Sequence, residues 1–166
     1  MKLINRILKN DAAGLLMYDI VDGEMQILLG HPGGPYYWNK DDGYWTIPKG
    51  TVEGDEDFLF AAQREFKEET GIEPHGPFIP LGSYEGRAKF NHIWAFRKAY
   101  DLSLGVSSNT FHMIWPPGSG TEREFPEIDR CGWFDVEHAK QKISKSQIPM
   151  IDNLVELLQD DIELFK

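Results

Sequence analysis

The chain has almost no cysteine: Cys131 stands alone among 166 residues. No intramolecular disulfide is available, and one thiolate cannot build a zinc site of the cysteine-rich kind. Cys131 reads as a small core residue. Long hydrophobic runs are missing as well. No stretch has the length needed to cross a bilayer, and Met1 to Asn10 is too polar for a secretory signal. The expectation is a cytoplasmic protein without a membrane partner. Positive charge is scarce, with 17 Lys and Arg against 27 Asp and Glu, a formal net charge of −10. Such a chain offers no broad phosphate-tracking surface, so nucleic acid is not the expected partner. There is no Walker loop, because Gly118-Ser119-Gly120 lacks the Lys and the following helix, and no Gly-x-Ser-x-Gly elbow. The five histidines, His31, His75, His92, His112 and His138, are scattered. They have no ligand spacing and read as surface or hydrogen-bonded residues.

What is present suits a folded globule. Hydrophobic residues make up 41% and aromatic residues 13%, and the length fits one core, so residues 1–166 read as a single domain. Ala12 to Ile20 and Glu24 to Leu29 read as strands joined by an Asp22-Gly23 hairpin turn. Gly30 to Gly43 reads as a long loop of the kind that carries function. Its Tyr36-Tyr37-Trp38 run either stacks on a base or anchors the loop. Tyr44 to Pro48, Pro77 to Tyr84, His92 to Tyr100, Phe111 to Trp115 and Gly132 to Asp135 read as strands. In His92 to Tyr100, Ile93, Ala95 and Arg97 alternate with Trp94, Phe96 and Lys98. Val136 to Ile143 reads as a short helix. Ile148 to Leu158 carries a helical stripe of Ile151, Leu154, Val155 and Leu158 that suits packing on the sheet.

The stretch Gly50 to Ile72 dominates the chain. Asp55 and Asp57 are able to cap a helix start, Gly71 suits the left-handed residue that ends one, and Pro74 forbids continuation. The spacing predicts a helix over Asp57 to Thr70. At about 100° per residue, Phe58, Leu59, Ala62 and Phe66 form an apolar stripe, with Glu65, Glu68 and Glu69 on a neighbouring arc. Glu69 falls inside the apolar arc. Like charges at these spacings repel, and a carboxylate entering a core needs a partner. A hard divalent cation, Mg²⁺ or Mn²⁺, supplies one; taken alone, the face also reads as solvated acid.

The fixed residues here are Gly50, Glu56, Arg64, Glu65, Phe66, Glu68, Glu69, Gly71 and Ile72. They resemble the signature of the Nudix hydrolases at every position. Trp45-Thr46-Ile47-Pro48-Lys49-Gly50 resembles the lead-in of Nudix enzymes acting on diadenosine polyphosphates and capped RNA. The resemblance implies an α/β fold, a Nudix-type α/β/α sandwich with a mixed β-sheet. It also implies metal-dependent hydrolysis of a diphosphate linkage in a nucleoside or dinucleoside polyphosphate. Nucleoside diphosphate sugars, ADP-ribose and a non-catalytic nucleotide-binding module are the alternatives. Glu65, Glu68 and Glu69 would bind Mg²⁺ or Mn²⁺, and Glu65 would act as general base. Arg64 would pair with Glu56, and Gly50 would permit a tight loop. Lys49 either meets a phosphate oxygen or balances charge. Glu122, Glu124 and Glu127 lie in an acidic loop, and Glu124 or Glu127 is the candidate for an extra ligand. A small nucleotide is the expected partner, and the resemblance leaves homodimerisation open.

Overall fold

The computed structural model describes residues 10–164, with side chains to residue 159. Its strands are β1 (Asn10–Val21), β2 (Glu24–Pro32), β3 (Lys49–Thr51), β4 (Ile79–Glu85), β5 (Lys89–Arg97), β6 (Thr110–Ile114), β7 (Glu122–Pro126) and β8 (Ile128–Asp135). Its helices are α1 (Phe58–Thr70), α2 (Val136–Lys142) and α3 (Ile148–Leu164). The Met1 to Asn10 reading lies outside the described residues except for Asn10.

The main sheet runs β4-β5-β1-β2-β8, and β3 also pairs with β1. β1 and β5 are parallel, while β1–β2, β2–β8 and β4–β5 are antiparallel, so the sheet is mixed. The hairpin between β1 and β2 turns at Asp22 (φ 53°) and Gly23 (φ 78°). Two successive positive φ values are what an Asp-Gly pair supplies most cheaply.

β1 is the hub. One edge pairs with β5 along Asn10 to Tyr18, and the other pairs with β3 through Ala12 to Gly14 and with β2 through Tyr18 to Val21. Leu15 and Met17 pack with Ala62 and Phe66 of α1. Leu16 and Tyr18 pack with Ile151 and Leu154 of α3. Helices therefore cover both faces, which is why β1 reads as a continuous apolar run rather than an alternation. On β5, Trp94 and Phe96 join the α1 side while Ile93 and Ala95 join the α3 side, as the alternation predicts. Among the described residues no helix is long and apolar enough to cross a membrane.

Two strand expectations need correction. Within Tyr44 to Pro48, only Trp45 and Thr46 form isolated bridges, to Ile143 and Gly30. The ladder to β1 begins at Lys49, directly after Pro48, which has no N–H to give to a ladder. The acidic segment around Glu122 is not a loop but β7, paired with β6 as a separate two-stranded sheet. Its glutamates and Arg123 are exposed, so there is no buried face to mark it by alternation.

Candidate active site

The helix that carries the three glutamates is set by its ends. The Asp57 carboxylate accepts from Phe60 N–H at 3.1 Å. Gly71, at φ 75°, returns its N–H to the Lys67 carbonyl. Asp57 is thus the cap and α1 starts at Phe58, one residue later than the spacing predicts. Side chains Ala61, Ala62, Phe66 and Glu69 are buried against the sheet. Glu69 is only 8% exposed and Glu65 9%, whereas Glu68 lies on the exposed side.

Glu69 accepts one hydrogen bond, from the Lys49 backbone N–H at 3.1 Å. Burial, and then the charge of Glu65, push its carboxyl up to about 8. Burial also raises Glu65, although Arg64 beside it pulls the other way. Arg64 forms a fork: Nε and Nη2 donate to the two oxygens of Glu56 at 2.7 and 2.9 Å. Nη1 reaches Glu65 at 2.9 Å and Glu68 at 3.2 Å, and Nη2 also donates to the Thr51 carbonyl. The guanidinium therefore ties the Thr51 loop, Glu56 and two glutamates of α1 to one point. Its fork holds the Glu56 carboxyl well below the usual range.

Glu65, Glu68 and Glu69 border a cavity of about 380 Å³. Glu53, Glu65, Glu68, Glu69 and Glu127 supply carboxylates, and Lys49 and Lys89 supply ammonium groups. Glu127 is placed by a relay from the end of α1. Asn109 N–H donates to the Glu68 carbonyl at 2.7 Å, and Glu127 N–H donates to the Asn109 carbonyl at 2.9 Å. Glu124, the other candidate, is elsewhere: it stands exposed on β7, accepts from the Thr110 hydroxyl at 2.7 Å and does not line the cavity. Lys89 and Asn109 also line the cavity and carry no local sequence signal, since one opens a strand and the other precedes one.

The donor set is all oxygen and anionic, the kind that hard divalent cations take. Among the described residues no three carboxylates or imidazoles converge into a ready-made ion cage. The reason is visible in the Arg64 fork, which draws Glu65 and Glu68 towards itself. The set fits Mg²⁺ or Mn²⁺ in chemistry. Lys49 is half-buried, and burial pushes its ammonium down.

Gly50 earns its place through a neighbour rather than a turn. Its backbone is not in the left-handed region, and a methyl group there would overlap the Glu65 carboxylate. Gly50→Ala should therefore displace Glu65 and lower kcat by at least about tenfold. The melting temperature should fall by only a few degrees, the scale of a strained contact of about 1 kcal/mol. Steady-state kinetics and a thermal melt on one preparation check this, and an unchanged kcat would remove Glu65 from the chemistry.

Other cavities are larger but differently lined. A volume of about 670 Å³ opens at the other end of β1, beside Asp19, Glu24, Tyr100 and Trp133. Its lining includes no cationic side chain, which makes it a poor receptor for an anion. The remaining histidines do not approach the acidic cavity. His31 is fully buried and spans Asp129 and the Lys40 carbonyl, while His92 meets Asp11. Cys131 packs beside the α1-side core, and burial pushes its thiol up to about 12.

Comparison with known proteins identifies the family and the fold. The NUDIX domain family matches residues 10–154. The mRNA-decapping protein g5R of African swine fever virus (isolate Warthog/Namibia/Wart80/1980) is 31% identical over 109 residues, 62% of this chain and 41% of that protein. Nudix hydrolase 6 of Arabidopsis thaliana is 27% identical over 100 residues, 59% of this chain and 30% of that protein. The chain thus spans about two fifths or less of the length of these curated relatives. Among solved structures, the Ap4A hydrolase of C. elegans in a binary complex superposes with a TM-score of 0.62 at 24% identity, covering 91% of this chain and 98% of that one. The NUDIX domain of Shewanella oneidensis NrtR complexed with ADP ribose gives 0.63 at 14% identity, covering 90% and 88%. These two structures share the fold. Because the family match runs from the first residues of β1 into α3 and includes an unbroken box from Gly50 to Ile72, this chain belongs to the Nudix family.

Proposed function

We propose that the protein is a metal-dependent Nudix pyrophosphohydrolase that cleaves the phosphate chain of a nucleoside or dinucleoside polyphosphate. The observation that carries this reading is the cavity itself. Glu65, Glu68 and Glu69 border it together with Glu53, Glu127 and two lysines. A module that only binds nucleotide has no need of so many carboxylates, which repel a phosphate chain unless cations intervene.

Glu65, Glu68 and Glu69 would hold Mg²⁺ or Mn²⁺, with Glu127 rather than Glu124 as the additional ligand. When bound, such an ion neutralises phosphate charge and makes water a better nucleophile. The remaining roles belong to the chain. Glu65 acts as general base, because it is raised by burial and lies on the cavity wall. Arg64 sets its direction through the bond at 2.9 Å. Lys49 meets a phosphate oxygen and offsets the charge that develops there.

The lead-in Trp45-Thr46-Ile47-Pro48-Lys49-Gly50 supports a polyphosphate over a nucleoside diphosphate sugar or ADP-ribose. A capped RNA end has the same chemistry, a polyphosphate bridging two nucleosides. The 31% identity to a protein named for mRNA decapping makes it the second substrate to test. The experiment is a panel of nucleoside triphosphates, Ap4A, capped RNA, ADP-ribose and a nucleotide sugar, with phosphate and mononucleotide detection. Turnover should appear with Mg²⁺ or Mn²⁺ and vanish in excess EDTA. Binding without turnover on the whole panel would make the protein a nucleotide-binding module, and full turnover in EDTA would rule out the metal.

A further inference from the structure

Lys89 lies outside the Nudix box, and the inference drawn from it rests on the hydrolase reading above. It opens β5, opposite the first residue of β1 (Asn10↔Lys89). Its side chain reaches β3, where the ammonium donates to the Thr51 hydroxyl. Lys89 thereby enters the acidic cavity from the sheet side.

Its electrostatic setting is unexpected. Five glutamates line the cavity, yet among the described residues neither Lys89 nor Lys49 forms an ion pair; Arg64 takes Glu56, Glu65 and Glu68 instead. A lysine placed only to balance charge would close on a carboxylate. Lys89 is parked on a neutral hydroxyl, a hold that a phosphate oxygen would replace with a stronger, charge-assisted bond. The two lysines also come from different strands. Thr51, which holds the Lys89 ammonium, and Lys49 are two residues apart on β3, so their Cα atoms lie roughly 7 Å apart and their side chains leave the same face. The cavity therefore presents one cation from β3 and a second from β5, an arrangement that suits a chain of phosphates better than a single one.

We propose that Lys89 binds a substrate phosphate beyond the one that Lys49 meets, and so selects substrates with three or more phosphates in line. A diphosphate would engage Lys49 and the α1 side without reaching it.

The test compares wild type, Lys89→Met and Lys89→Arg on ADP-ribose, ATP and Ap4A with Mg²⁺, and titrates methylene-bridged analogues of ATP and Ap4A by calorimetry. Lys89→Met should raise KM for ATP and Ap4A, and Kd for their analogues, by about tenfold. ADP-ribose should change by less than about twofold, kcat should stay within about threefold, and Lys89→Arg should restore most of the loss. Melting temperatures report whether each variant is folded, and Lys89→Gln is the second neutral variant if Lys89→Met is not. An equal loss on all three substrates, or no loss on any, overturns the proposal. If wild type binds the analogues in a Lys89-dependent way but turns over nothing, the proposal stands and the hydrolase reading falls. If wild type does not bind them, or binds them without regard to Lys89, the proposal falls whatever the turnover.

Discussion

Replacing Glu69 with glutamine should lower turnover by at least about a hundredfold, and should also make the metal-free protein more stable at pH 8. The first effect follows from losing a charged ligand: a hundredfold is about 2.7 kcal/mol of transition-state stabilisation, well within what a metal contact supplies. The second follows from burial. The ordinary value for a glutamate is 4.5, and in the fold Glu69 is pushed up to about 8 by burial and by Glu65. Between those two pH values the unfolded chain gives up a proton that the folded chain retains. Stability is therefore full below about pH 4.5, declines as pH rises through the window, and has lost its whole share above about pH 8. That share is on the order of 3 to 5 kcal/mol. Glutamine cannot ionise, so Glu69→Gln should flatten this slope. Thermal melts in EDTA from pH 5 to pH 8.5 measure it, and parallel wild-type and variant curves would mean that Glu69 is not buried as described.

Arg64→Ala should lower the melting temperature and the activity together. The variant loses the fork to Glu56, the bond to the Thr51 carbonyl and the restraint on Glu65 and Glu68. It leaves Glu56, Glu65 and Glu68 near one another without their shared cation. Because the Arg64 and Glu56 side chains are 21% and 12% exposed, the cost is that of a mostly buried pair, about 2–4 kcal/mol. For a chain of this size that is roughly 5–15 °C. Lys49→Ala should behave differently. Among the described residues Lys49 forms no ion pair, so the melt should stay within about 2 °C while kcat/KM falls by about tenfold or more. Thermal melts and kinetics on the best panel substrate separate the two. A normal melt for Arg64→Ala, or an early melt with normal kinetics for Lys49→Ala, would reverse the roles assigned to them.

The helix and its acids are readable from sequence because everything that defines them is local. Asp57 and Gly71 bracket α1 within fifteen residues, and Glu69 declares itself by standing in an apolar arc. Glu127 is only half readable. Three glutamates occur in six residues, and what selects one of them is the relay through Asn109 to the Glu68 carbonyl, some sixty residues away in sequence. Lys89 is not readable at all, since its place depends on the parallel pairing of β5 with β1, which no periodicity encodes. Gly50 is readable as a required glycine but for the wrong reason: it yields space to a side chain fifteen residues further on instead of bending the backbone. β7 escapes notice because a two-stranded sheet with exposed glutamates has no apolar side to repeat.

The position of β1 sets an order in which the molecule comes apart. Its centre, Leu15 to Met17, is paired with β5 on one edge and on the other lies between the ladders to β3 and β2, where Leu15 N–H donates to the Pro48 carbonyl, with helices above and below. The amides there can exchange with solvent only when the whole domain opens. β3 hangs on the same strand, so the loop that leads into the acidic helix shares that protection at its first residues. The β6–β7 ribbon is held more lightly: its base is tied through Asn109 and Glu127, Gly33 N–H donates to the Glu127 carbonyl, and Trp115 at its tip packs edge-on against Tyr36 with ring centroids 5.2 Å apart. A two-stranded ribbon alone is marginal in water. The ribbon should therefore open together with the loop that carries Gly33 and Tyr36, so the wall of the cavity carrying Glu127 should yield before the wall carrying Lys49 and Glu69.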